Sequence, residues 1–208
     1  MNILIKQLTI IIILIATSYS LKADTWNNPE TKFYYSKDST HILKVIPRHT
    51  PINFYKWLTA KPNRKKRFNA QDTIITPCYA ILYRINEVKD TFEIWKKNLI
   101  NSISPVKALV SNNGKRIVTI DNWYSLGYGI DVFVVYNEKG ELVKRYKLDD
   151  FTSFPINNYM FSISSIWWDC GIELLNKINK VKICMITKEN RIKTRFYDLE
   201  SYQFEDTP

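Results

Sequence analysis

The chain has 208 residues and carries 30 Lys and Arg against 20 Asp and Glu, a net charge of +10. Its aromatic fraction is 14%, with only 5 Gly and 3 Cys; bulky side chains therefore fill its core, and a cysteine-dense scaffold is excluded. A single apolar run near the start, with no second one later, excludes a protein with several membrane helices.

Residues 1–23 read as a secretory signal peptide: a short start with Lys6, an apolar run over 8–16, then small and polar residues before Asp24. Cleavage after Ser20 or Ala23 fits, neither site is an ideal small-x-small pattern, and an uncleaved N-terminal anchor is the alternative. No cysteine near the cleavage region offers a site for a lipid anchor. Removing residues 1–23 from the 208 leaves 185 and takes away Lys6 and Lys22 but no acid, so the charge falls from +10 to +8. A chain of that size buries roughly 70% of its unfolded surface as one domain, here residues 24–208.

From Lys32 onwards, alternation and turn chemistry predict an all-β fold of three consecutive four-stranded antiparallel meander modules, at about 33–99, 106–151 and 159–204. Such units make propeller blades; a barrel or an open arc of packed sheets are the alternatives, because three blades do not close a ring. In the first module Phe33, Tyr34 and Tyr35 lead through a turn at Ser36 into a strand from His41 to Ile46. An insertion over 47–70 follows, with a short helix predicted over 52–58, and then strands around Ile81 and Ile94. In the second, Ser111 opens a turn in the same place as Ser36, and Asn113-Gly114 predicts a type I′ hairpin. Strands around Val134 and Val143 flank Gly140. In the third, strands around Ile183 and Arg195 flank Asn190 and are aligned with the last two of the second module. Cys170 and Cys184 lie near adjacent predicted strands, which makes them the candidate disulfide and leaves Cys78 free.

The stretch from Asn101 to Val106, with Asp121-Asn122-Trp123-Tyr124-Ser125-Leu126-Gly127-Tyr128-Gly129, resembles a family of uncharacterised secreted bacterial proteins. Val134-Val135-Tyr136, Gly140, Leu148-Asp149-Asp150, Ser164-Ser165 and Trp167-Trp168 are similar to it too. The resemblance covers about residues 33–175 and implies a β-rich, propeller-like exported protein. It carries no activity and no catalytic residue.

Signatures of familiar active sites are missing: no Gly-x-Ser-x-Gly, no His-Glu-x-x-His, no Cys-x-x-Cys and no phosphate loop. Gly127-Tyr128-Gly129 lacks the third glycine of a dinucleotide fingerprint, Val132 standing in its place. His41 and His49 are the two histidines, and neither spacing makes a metal set. No cofactor and no metal are expected. Carboxylates alone hydrolyse glycosides when two flank the bond, so Asp121 and Asp131, near aromatic loops, define a hydrolase alternative. The loop holding Asp121, Trp123, Tyr124, Tyr128 and Asp131 is the candidate ligand site, since loops at one end of such modules carry function. Of Trp167 and Trp168, neighbours in an extended chain, at most one points inward.

Lys61, Arg64, Lys65, Lys66 and Arg67 form a dense basic run that suits anionic polymers. An exported address makes nucleic acid an unexpected partner. The sequence reading is thus an exported, non-catalytic binding or scaffold protein of the bacterial envelope, periplasmic or secreted. Its expected partner is an envelope glycan, an anionic polymer or another envelope protein. The alternatives are the carboxylate hydrolase and a purely structural envelope component.

Overall fold

The structure, a computed structural model, describes residues 26–49 and 75–207. The signal peptide, the predicted helix over 52–58 and the basic run Lys61, Arg64, Lys65, Lys66 and Arg67 lie outside the described residues. What is described is all-β: fourteen strands in four antiparallel sheets that close no barrel.

The first sheet has strand order β1 (Lys32–Tyr35), β2 (His41–Ile46), β3 (Tyr79–Ile85), β4 (Thr91–Asn98). The second runs β5 (Pro105–Val110), β6 (Ile117–Asn122), β7 (Phe133–Tyr136), β8 (Leu142–Tyr146). Then comes a small hairpin, β9 (Met160–Phe161) with β10 (Ile166–Trp167). The third four-stranded sheet holds β11 (Asp169–Leu175), β12 (Lys180–Ile186), β13 (Ile192–Asp198) and β14 (Gln203–Glu205).

The first two sheets match the sequence reading strand for strand; the third does not. It begins at Asp169 rather than near 159, and the strands around Ile183 and Arg195 are its second and third members. The cause is the turn between them. Thr187 and Asn137 each donate their N–H to a carbonyl four residues on, at 3.0 Å, with Asn190 and Gly140 in the left-handed region at φ 61° and 72°. One turn type thus joins strands two and three in one sheet and strands three and four in another, so turn chemistry alone does not count strands.

The turns at Ser36 and Ser111 do correspond. Each hydroxyl accepts the N–H five residues ahead, from His41 at 3.0 Å and Arg116 at 2.9 Å. The expected type I′ turn at Asn113-Gly114 is absent, because Gly114 takes a positive φ of 67° and Asn113 does not. Asn113 instead accepts the Lys115 N–H at 3.0 Å through its side chain, an Asx arrangement that competes with the two-residue hairpin.

Packing is organised by the second sheet. Successive side chains of a strand point to opposite faces, and in β6 and β7 both faces are buried. Ile117, Val134 and Tyr136 join Leu43, Val45, Leu82 and Trp95 of the first sheet. Val118, Ile120, Phe133 and Val135 join Trp168, Val181, Ile183 and Tyr197 on the other side. This explains why β6 and β7 read as nearly unbroken apolar runs. Phe133 lies 4.8 Å from the Tyr197 ring and 6.0 Å from Phe151, contacts that add to the roughly 1.5–3 kcal/mol from burying such a side chain.

Cys170 and Cys184 are joined, with Cα atoms 5.1 Å apart on the neighbouring strands β11 and β12. Cys78 is a buried free thiol whose pKa burial pushes up to about 12.

Replacing Phe133 with Ala should cost about 3–5 kcal/mol, the range for emptying an aromatic site in a packed core. Replacing the exposed Leu142 with Ala should change stability by no more than about 0.5 kcal/mol. Urea unfolding compares the two; a loss below about 1 kcal/mol at Phe133 would mean that β7 does not anchor the core it shares with the third sheet.

Candidate binding face

The candidate loop grows from the end of β6. Asp121 is buried at 1% exposure and holds a positive φ of 57°; Tyr124 follows at 67°. A non-glycine residue there costs of order 1 kcal/mol or more and persists only when its surroundings fix it. They do. The Asp121 carboxylate accepts the Gly127 N–H at 2.6 Å and the Trp168 indole N–H at 3.1 Å.

The second of these bonds ties the loop to Trp168, directly after β10. Leu126 bridges Ser165 in parallel, and its carbonyl accepts the Ile166 N–H at 2.8 Å. Gly127, at φ 71°, has no room for a side chain: a Cβ there would sit 2.8 Å from the Ile166 Cβ. The Tyr128 hydroxyl donates to the Ser162 carbonyl at 2.8 Å.

The outer rings of the loop meet the start of the described chain. Trp26 packs edge-on against Trp123 at 5.3 Å and Tyr124 at 5.8 Å. The Trp123 indole N–H donates to the Asn27 carbonyl at 2.8 Å, and the Trp26 indole reaches Ser164 Oγ at 3.3 Å. Lys32 Nζ stands 4.7 Å from the Trp123 ring centre, a cation–π contact. Three stretches distant in sequence thus build one face. It exposes Tyr124 and Ile130 from the loop, and Met160, Phe161, Ile163 and Trp167 from the hairpin, with Ile163 the most open at 84%.

The five candidate residues therefore divide. Trp123, Tyr124 and Tyr128 share the face. Asp121 lies beneath it, covered. Asp131 is paired instead with Arg145 of β8, its carboxylate 2.8 Å from the guanidinium Nε; partial burial raises its pKa against that cation. Trp168 is buried and Trp167 exposed, as alternation requires. His41 is buried on β2 with Nδ1 2.9 Å from Thr40 Oγ1, and His49 makes an isolated bridge to Thr76. Among the described residues no group of three His, Cys, Asp or Glu side chains could hold a metal ion.

Trp26 and the hairpin were not among the candidates. The chain carries one signal for the loop and the hairpin, though none for Trp26: no charged residue occurs between Asp121 and Asp131, nor between Asp150 and Asp169, in a chain 24% charged. A separate open groove of about 1240 Å³ lies where β2, β3 and β4 meet the β5–β6 turn, between the Asp38 and Asn112 side and Phe92. Its Asp38 carboxylate is already engaged by Ser36 and Thr40.

Burial pushes the Asp121 pKa up to about 7, helped by nearby Asp169 and opposed by the Gly127 and Trp168 bonds and Lys107. Because the folded value exceeds the ordinary 3.8, the folded state holds its proton longer, and stability falls as pH rises from about 4 to about 7. Asp121→Asn keeps an acceptor without the charge. Its stability relative to the natural protein should therefore grow between pH 4.5 and 8, by a few kcal/mol in urea unfolding. His41, held below its ordinary pKa by burial, tilts both proteins equally in the opposite sense. A pH-independent difference would mean that Asp121 is not titrating in a covered site.

No protein-family model matches this chain, and no curated protein matches it.

Proposed function

We propose that the protein is an exported, non-catalytic binding component of the bacterial envelope, working through the face built by residues 123–130, the β9–β10 hairpin and Trp26. The observation that carries this is the convergence of exposed apolar and aromatic side chains from two separate stretches, backed by the half-buried Trp26 from a third. Soluble proteins rarely group such side chains on one face without a partner. Export is supported by the order of charge, apolar run and small residues over 1–23 and by the Cys170–Cys184 disulfide, which suits an oxidising compartment.

The geometry weighs against the hydrolase alternative. Asp121 gives both its bonds to Gly127 and Trp168 under the face, and Asp131 is held by Arg145. A glycosidase needs two carboxyl groups open to one bond. Asp121 and Asp131 are not open to one bond in this way.

Binding of the purified protein to isolated envelope fragments tests the reading. Phe161→Ser and Ile163→Ser change side chains that are 64% and 84% exposed, so the fold should be unaffected. Together they should weaken envelope binding at least about tenfold, the effect of losing one buried anchor. Unchanged binding would remove this face from the function.

A further inference from the structure

The same face shows features of an interfacial membrane contact. The hairpin exposes apolar side chains on its open side and at its tip, while Ile166, paired with Phe161, packs into the core. Met160 and Trp167 are paired across one side and both exposed; Phe161 is exposed on the other; Ile163 stands at the end. Trp167 lies on the hairpin, and Trp26, bonded to Ser164 at its turn, packs with Trp123 and Tyr124 beside it; these are residue types that settle where headgroups meet acyl chains. Lys32 and the half-exposed Lys107, which also pairs with Asp169, supply cations near the loop, on a chain whose net charge is +10.

The path of the chain gives a second, independent indication. The described chain begins at Trp26, and Trp26 is seated on this face. The apolar run over 8–16 ends ten positions upstream, a distance of at most about 36 Å even if fully extended. In the uncleaved alternative, where this run stays in a bilayer as an anchor, that bilayer is within reach of the hairpin.

We infer that the face rests on an anionic lipid bilayer, with the hairpin tip around Ile163 entering the headgroup–acyl boundary and the surrounding rings lying at its surface. Insertion is shallow, of the order of 5–10 Å as for other interfacial elements. The inference rests on the reading of this face as the binding surface and names its partner.

Tryptophan emission of the full chain is measured on phosphatidylethanolamine–phosphatidylglycerol vesicles, with and without bromine on the acyl chains. Bromine should quench the natural protein at least about twofold more than the Phe161→Ser, Ile163→Ser variant, since both carry the same N-terminal run and differ only in the tip. Equal quenching would overturn the inference. If the variant also loses binding to whole envelope fragments, equal quenching on lipid assigns the face to a glycan or protein partner and leaves the binding reading standing. If neither measurement changes, both readings fall.

Discussion

Two hydrogen bonds to one buried carboxylate position everything that makes this molecule look functional. Asp121, next to the end of β6, takes a left-handed conformation that aspartate adopts at a cost, and its oxygens accept the Gly127 and Trp168 donors. The first bond folds the loop back on itself. The second fixes the indole that lies against Phe151 at 5.3 Å. Charge-assisted bonds of this kind are worth more than neutral ones, yet the desolvation of the carboxyl is large enough to bring its pKa to about 7. The residue is therefore kept for where it holds the chain.

The loop can be held there because the sheet beneath it is rigid. β6 and β7 are covered on both faces, so their neighbours pack against a surface that has no solvent side to yield toward. β5 runs beside β1 and β2 on one hand and β11 on the other. The hairpin lies outside this arrangement. It contributes Ile166 to the core and leaves the rest of its apolar side chains in the open. That contrast, a dry centre beside an uncovered apolar wedge, is the structural reason to seek a partner at the hairpin and not at the groove near Asp38.

Much of the fold was legible in the sequence where local chemistry and strand alternation agree. The Ser36 and Ser111 turns use the same side-chain bonds, and the strands on either side of them fall where alternation places them. Cys170 and Cys184 were readable as neighbours because their strands are consecutive. The third sheet was misread because Asn190 and Gly140 serve the same turn in different places along a meander. Asn113-Gly114 was misread because the Asn113 side chain can bond locally, which no hairpin rule based on backbone preference weighs. At the site, Trp123, Tyr124 and Tyr128 were visible as rings beside glycines. Asp121 could not be recognised as covered, since its two donors come from the loop and from Trp168, forty-seven positions on. Trp26 was beyond reach for the same reason: its partners are about a hundred residues away. Only the two charge-free intervals carried a trace of the face.

Amide hydrogen exchange on the natural protein and on Asp121→Ala tests most directly whether the carboxylate joins loop to hairpin. If it does, the amides of Gly127, Tyr128, Ser162 and Ile166 lose protection together in the variant, while those of Ile183 and Arg195 in the third sheet keep theirs. Loop and hairpin amides that respond separately, or do not respond at all, would contradict it.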